Sequence, residues 1–166
     1  NPRAHYETTA PEIWRQTNGA FDIFVTGMGT TGTLMGMSRF FREQSGRIKV
    51  AGVEPVAGHT IQGLKNMTEA IVPEILDKSR LDEILPMGDE EAFDMTRRLA
   101  VEEGLFAGLS SGANVAGAVR LARQMSENTS GTWAHLWATT WPTPPAPIMS
   151  TLAICCSSLS FKIGVS

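Results

Sequence analysis

The sequence predicts an α/β fold in which a doubly wound parallel sheet carries helices on both faces. Apolar segments of strand length alternate with longer segments of helical periodicity. A glycine-rich turn at residues 27–33 (GMGTTGT) stands between the first strand and the helix that follows it, and residues 108–114 (GLSSGAN) form a second such junction. This alternation favours a parallel sheet, which binds ligands where the carboxyl ends of its strands meet.

The first half of the chain supplies two helix-and-strand pairs. A threonine cap and an early proline predict a helix that ends at Asn18-Gly19. Residues 21–26 are apolar enough for a short strand, and residues 33–44 place their apolar side chains at helical spacing. Residues 48–53 form the next strand, so the glycine turn connects a strand to a helix.

The second half repeats the pattern after an irregular stretch. Residues 81–85 resemble another short strand. Asp89 is predicted to cap an amphipathic helix over residues 90–103, which Gly104 ends. A last helix is predicted to begin after the serine-serine-glycine run at residues 110–112.

Composition excludes several classes of function. With 42% apolar and 19% charged residues and a net charge of −3, the chain is typical of a globular protein without a basic surface for nucleic acid or an anionic membrane. We therefore expect a small-molecule partner. The adjacent Cys155 and Cys156 and the scattered His5, His59 and His135 lack metal-ligand spacing, so no metal site is predicted. Absence of an export-signal pattern favours a reducing cytoplasm.

Composition also changes near Gly131. Residues 1–131 carry every charged side chain except Lys162, whereas residues 132–166 are rich in tryptophan and proline. We expect residues 1–131 to form one folded unit and residues 132–166 a separate, poorly ordered tail.

The glycine turn has the chemistry of a phosphate site. Glycines let the backbone approach a ligand closely, and the amides at a helix N-terminus carry about half a positive charge. The hydroxyls of Thr30 and Thr33 add donors. A terminal monophosphate is one candidate ligand. A dinucleotide is another, because Gly27, Gly29 and Gly32 follow its fingerprint and Glu54 ends the next strand, where an acid can hold a ribose. The third interpretation is a tight turn without a ligand.

The serines of the second junction have two interpretations as well. Ser110 and Ser111 lie at the start of a predicted helix, where both can act as caps. In a doubly wound sheet this junction opens onto the same crevice as the glycine turn, so one serine can reach a ligand there.

Three segments in this order resemble the cysteine synthases, which are pyridoxal-phosphate enzymes of the tryptophan-synthase-β type (fold type II). They are residues 1–14 (NPRAHYETTAPEIW), residues 29–33 (GTTGT) and residues 102–113 (EEGLFAGLSSGA). Thr31 and residues 39–45 are similar to the B branch of this family, O-acetylserine sulfhydrylase B. The resemblance covers residues 1–131 and corresponds to the C-terminal part of a family member.

The resemblance implies a cofactor, a reaction and a set of site residues. The cofactor is pyridoxal 5′-phosphate, and the reaction is the replacement of the acetate of O-acetylserine by sulfide or thiosulfate, a step in cysteine biosynthesis. Family members are homodimers. Ser110 matches the serine that bonds the pyridine nitrogen, and Gly63 falls in a loop near the substrate. The cofactor phosphate is expected to bind at Gly29, Thr30, Thr31, Gly32 and Thr33.

The sequence also departs from the family. The family's Schiff-base lysine lies in a Ser-x-Lys motif in the N-terminal half of family members, a setting that no lysine of this chain has. The four lysines favour surface charge instead: Lys49, Lys65, Lys78 and Lys162. Because covalent catalysis needs that amine, no catalytic residue is assigned and negligible turnover is predicted. A non-catalytic pseudoenzyme or binding fragment is an alternative. The loss of family pattern after Gly131 suggests the hypothesis of a shifted reading frame or a decayed gene.

Overall fold

A computed structural model describes residues 1–128, 152–156 and 159–161 of the chain. Its strands are β1 (Ile23–Gly27), β2 (Lys49–Pro55), β3 (Glu83–Met87), β4 (Leu152–Cys156) and β5 (Leu159–Phe161). Its helices are α1 (Pro2–Ala4), a π-helical turn (His5–Thr9), α2 (Ala10–Thr17), α3 (Gly32–Gln44), a 3₁₀ turn (Lys78–Arg80), α4 (Asp89–Glu102) and α5 (Leu109–Asn128).

The strands form one sheet in the order β3-β2-β1-β4-β5. β2 pairs in parallel with β1 and β3, and β4 pairs in parallel with the other edge of β1, whereas β5 runs antiparallel to β4. Parallel neighbours need a crossover between them, which α3 provides from β1 to β2. The parallel α/β fold class is therefore confirmed.

Helices cover both faces of the sheet because successive strand residues point to opposite sides. On one face Phe24 packs with Ile13 of α2 and Phe41 of α3. On the other face Val25 packs with side chains of α4 and α5 such as Ala92. Gly27, at the carboxyl end of β1, contacts Asn114 of α5, so the glycine turn and the N-terminal part of α5 lie at the same edge of the sheet.

Two predicted helix starts were wrong. Gly88, not Asp89, is the N-cap of α4, and Asp89 is the first helical residue. α5 begins at Leu109, so Ser110 and Ser111 lie inside its first turn and do not precede the helix. The amides of Ser111 and Gly112 donate to the carbonyl oxygen of Gly108. These bonds start the helix before Ser110, whereas the sequence predicted a start after Gly112. The strand expected before this helix is also not found, because residues 103–108 connect α4 directly to α5.

The predicted tail contributes β4 and β5 to the sheet. Residues 129–151, 157–158 and 162–166 lie outside the described part of the chain. The boundary near Gly131 and the poor order of residues 132–166 therefore stay predictions.

Candidate phosphate and cofactor site

The glycine turn leaves the first amides of α3 without helical acceptors. Met28 donates its amide to the carbonyl oxygen of Val53 at 2.8 Å, which fixes the start of the turn on β2. The first helical hydrogen bond runs from the amide of Met35 to the carbonyl oxygen of Thr31 at 2.9 Å. The amides of Gly32, Thr33 and Leu34 come before this bond and have no acceptor within the helix. They form a concentrated set of donors for an anion.

Thr31 has an unsatisfied side chain in an unusual backbone conformation. It is 3% exposed, and its Oγ1 is buried without a hydrogen-bond partner in the described part of the chain. Its φ of 62° lies in the left-handed region, which a β-branched residue rarely adopts. Such strain costs about 1–3 kcal/mol and is concentrated at functional sites. A phosphate oxygen would satisfy this hydroxyl, so Thr31 fits a ligand-binding role.

Gly29 and Gly63 lie in contact although they are far apart in sequence. A Cβ on Gly29 would lie 2.7 Å from the carbonyl oxygen of Gly63. Lys65 donates its amide to the carbonyl oxygen of Met28 at 2.7 Å, which attaches the same loop to the turn. Gly63 has a φ of 87°, a conformation that favours glycine. The structure therefore brings Gly63 to the glycine turn.

Thr33 is bonded to a histidine that the sequence did not single out. The Oγ1 of Thr33 lies 3.2 Å from Nε2 of His5, and Nδ1 of the same ring lies 3.1 Å from Oγ1 of Thr9. Burial lowers the pKa of His5 below its ordinary value, which favours the neutral ring. His5 is therefore a neutral ring that contacts the side chain of Thr33, and the amide of Thr33 is one of the free donors at the start of α3.

The close approach of the N-terminal helical segment explains the position of His5. A Cβ on Gly36 would lie 2.9 Å from Cβ of His5, and it would also clash with the carbonyl oxygen of Pro2. Gly32 and Gly36 are one helical turn apart, and both face this segment. This four-residue glycine spacing is the signal that could have indicated His5.

Ser110 lies in the first turn of α5, on the helix that meets the glycine turn at Asn114. It is half-buried, and Asn114 stands one turn further along the same helix. A Cβ on Gly27 would lie 3.0 Å from Oδ1 of Asn114. The start of α5 and the glycine turn are therefore neighbours, as a shared ligand requires. Thr30 is exposed at the tip of the turn.

The side chain of Glu54 holds the backbone of the loop at Met67. Its Oε1 accepts from the amide of Met67 at 2.7 Å. A dinucleotide ribose would compete with this bond, so the contact argues against the dinucleotide interpretation.

The described residues show neither a lysine in a buried setting nor a metal cluster. Lys49, Lys65 and Lys78 are exposed, in keeping with surface charge, and Lys162 lies outside the described residues. No group of three or more His, Cys, Asp and Glu in residues 1–128 is arranged to hold a metal ion. None of the described helices combines the length and the apolar character that crossing a membrane requires.

Comparison with known proteins gives the family. Residues 1–134 match the family described as pyridoxal-phosphate dependent enzyme. Cysteine synthase B of Pseudomonas aeruginosa is 47% identical over 125 residues, which is 75% of this chain and 42% of that protein. O-ureido-L-serine synthase of Streptomyces lavendulae is 42% identical over 140 residues, which is 78% of this chain and 42% of that protein.

Solved structures agree with these relatives. The crystal structure of O-ureido-L-serine synthase matches with a TM-score of 0.67 at 42% identity, covering 72% of this chain and 40% of that one. A hydrogen sulfide-producing enzyme from Fusobacterium nucleatum matches with a TM-score of 0.65 at 36% identity, covering 70% of this chain and 42% of that one. The chain thus spans less than half the length of these relatives. It belongs to the family of pyridoxal-phosphate dependent enzymes, whose cofactor is pyridoxal 5′-phosphate, and within that family it is similar to cysteine synthase B.

Proposed function

We propose that this chain forms the part of a cysteine-synthase-type enzyme that holds the phosphate of pyridoxal 5′-phosphate. The reaction is the replacement of acetate in O-acetylserine by sulfide or thiosulfate. The observation that carries the proposal is the buried Oγ1 of Thr31, which lacks a hydrogen-bond partner among the described residues and stands at the N-terminus of α3. A helix N-terminus with a buried, unsatisfied hydroxyl fits a phosphate dianion.

The remaining residues take roles around this phosphate. The backbone amides of Gly29, Thr30, Gly32 and Thr33 would surround it, and the hydroxyl of Thr31 would donate to it. Ser110 would present a neutral hydroxyl to the pyridine nitrogen. Bound pyridoxal 5′-phosphate supplies an electron sink for elimination at the β carbon of the substrate. A neutral serine does not hold that nitrogen protonated, which suits β-elimination. Gly63, beside Gly29, is the candidate contact for the substrate.

The proposal assigns cofactor binding, and not catalysis, to this chain. Nucleophilic catalysis needs a Schiff-base lysine in an activating environment, and the described lysines are exposed. The chain alone therefore binds the cofactor non-covalently and has negligible turnover. The complete enzyme is a cytoplasmic homodimer, as its resemblance to cysteine synthases implies.

Calorimetric titration of the purified chain with three ligands tests the proposal. Pyridoxal 5′-phosphate and inorganic phosphate should bind, and pyridoxal, which lacks the phosphate, should bind at least tenfold more weakly than its phosphate ester. The variant Thr31→Val removes the hydroxyl at nearly constant volume and should weaken phosphate binding about tenfold, as expected for a hydrogen bond to a charged group.

Thr8→Val is the matched control, because the hydroxyl of Thr8 is exposed and donates to the carbonyl oxygen of Ala4 at 2.8 Å. It should leave the affinity unchanged. Equal affinity for pyridoxal and its phosphate would refute the phosphate site. Binding of a nicotinamide dinucleotide that is lost in Glu54→Gln would favour the dinucleotide alternative instead.

A further inference from the structure

The loop that carries Gly63 has anchors at both ends. This segment, residues 56–66, follows β2 and is called the 56–66 loop. Its later half lies on the glycine turn through the contact between Gly63 and Gly29 and the hydrogen bond from Lys65 to Met28. The position of Gly63 therefore depends on how the earlier half of the loop is held.

Two carboxylates hold that earlier half. Glu69 accepts from the amide of Gly58 at 3.0 Å. Asp89 holds Thr60, nearer to Gly63. Its Oδ2 accepts two hydrogen bonds from Thr60, one from the amide at 2.8 Å and one from the hydroxyl at 2.6 Å. Two donors from one residue fix both the backbone and the side chain of Thr60. Thr60 is three residues from Gly63, so the bond to Asp89 and the contact with the glycine turn lie on the same short segment.

Asp89 also connects the loop to the helix that carries Ser110. It is the first residue of α4, and α4 packs closely on the first turn of α5. A Cβ on Gly112 would lie 2.5 Å from the carbonyl oxygen of Ala92 and would clash with Thr96. The helices approach so closely that the position of Asp89 is fixed relative to Ser110.

We propose that Asp89 is a positioning residue, which sets the distance of Gly63 from the glycine turn by anchoring Thr60 to the N-terminus of α4. The inference rests on the proposed function, since it concerns the loop beside the phosphate site. The sequence suggests only a helix cap for Asp89, and the cap is Gly88.

Two unsatisfied polar atoms favour a functional constraint over an ordinary loop tether. The Oδ1 of Asp89 and the Nδ1 of the neighbouring His59 are both buried without hydrogen-bond partners in the part of the chain that the structure describes. Folded proteins satisfy most buried polar groups, and exceptions concentrate where function constrains the geometry. The donated hydrogen bond of the Thr60 hydroxyl also lowers the pKa of Asp89, so the anchor is a full carboxylate at neutral pH.

Amide hydrogen exchange measured by NMR on the full chain tests the coupling. In Asp89→Ala the amide of Thr60 should exchange at least tenfold faster, and the amide of Lys65, which bonds to Met28, should also exchange at least threefold faster. Asp89→Asn keeps an acceptor and should fall between the wild type and the alanine variant. If the alanine variant does not fold, Thr60→Val serves in its place, because it keeps the amide donor but removes the hydroxyl. It should make the amide of Lys65 exchange about twofold faster.

Glu90→Gln is the matched control. Glu90 lies in the same first turn of α4 and is exposed, so its loss changes the helix-end charge without touching the loop. Faster exchange at Lys65 in Glu90→Gln, or faster exchange at Thr60 alone in Asp89→Ala, would overturn the inference. Failure of the wild type to bind pyridoxal 5′-phosphate would refute the proposed function. The exchange rate of the Lys65 amide would still decide whether Asp89 positions the loop on the glycine turn. Normal cofactor binding with uncoupled exchange would refute the inference alone.

Discussion

The carbonyl oxygen of Gly63 lies where a side chain on Gly29 would begin. A Cβ on Gly29 would approach that oxygen to 2.7 Å, closer than such atoms come in folded proteins. Glycine at position 29 therefore allows two backbone segments to meet beside the amides of α3. This contact makes the glycine turn and the 56–66 loop a single structural unit.

Gly29→Ala should separate these two segments. The added methyl group would overlap the carbonyl oxygen of Gly63. This oxygen belongs to the backbone and cannot rotate away like the end of a flexible side chain, so the two segments must move apart as a whole. We expect the free energy of unfolding to fall by about 1–3 kcal/mol, as for an overpacked interior. Urea unfolding followed by circular dichroism measures the change. Gly46→Ala is the control, because a Cβ there meets nothing within 4 Å; it should shift stability by less than about 0.5 kcal/mol. Equal losses in the two variants would contradict the argument.

Thr31→Gly should separate stability from affinity. Glycine adopts the φ of 62° at position 31 without steric strain, which offsets its entropic cost and the lost buried methyl group, so the free energy of unfolding should change by less than about 1 kcal/mol. The variant also lacks the buried hydroxyl, so the affinity for inorganic phosphate should fall about tenfold. Asn18→Gly provides the matched control, since Asn18 has a φ of 51° at the end of α2, far along the chain from the site. It should leave phosphate affinity unchanged. An unaltered affinity in Thr31→Gly would remove Thr31 from the site.

The local part of the site could be predicted from the sequence. The strand before the glycine turn and the helix after it both depend on short-range patterns of apolar residues and glycines, whereas the strand expected before Ser110 is not found in residues 103–108. The structure places α3 at Gly32–Gln44, one residue longer than predicted at its start. Each of these features is set by residues within a few positions of one another, which explains why they could be inferred.

The long-range part could not be predicted from the residues alone. Asp89 has the residue type and the position in sequence of a helix cap. Its carboxylate nevertheless accepts a hydrogen bond from the amide of Thr60, which is distant in sequence. A carboxylate at a helix start can bond to its own helix or to another segment, and only the packing of α4 on α5 decides between them. His5 was set aside for lacking ligand spacing, and the packing of its helical segment on Gly36 brings it to Thr33.

His5 should make the stability of the chain depend on pH. Burial lowers the pKa of His5 below 6.5, so the unfolded chain binds a proton more readily than the folded chain. The free energy of unfolding should therefore fall as pH decreases through 6.5 towards the folded pKa, and the loss should be complete below the folded pKa. Urea unfolding at several pH values measures this slope, and His5→Gln should have a smaller one.

Phosphate should change the titration of the same histidine. A dianion beside Thr33 stabilises the protonated ring, so bound phosphate should raise the pKa of His5. NMR titration of the His5 ring with and without inorganic phosphate measures the shift. A pKa that does not respond to saturating phosphate would place the anion away from Thr33.

The chain alone should not convert O-acetylserine to cysteine at an enzymatic rate. The purified chain, supplied with pyridoxal 5′-phosphate, O-acetylserine and sulfide, should form cysteine no faster than the free cofactor does in buffer. The physical reason is that Lys49, Lys65 and Lys78 are exposed and therefore lack the desolvated environment that activates an amine for Schiff-base chemistry. Lys65 is the strictest test, because its amide bonds to Met28 within the glycine turn and its side chain is exposed. Lys65→Arg should leave the background rate unchanged, and Lys78→Arg serves as the control away from the turn. Enzymatic turnover that Lys65→Arg abolishes and Lys78→Arg preserves would show that Lys65 supplies the missing amine.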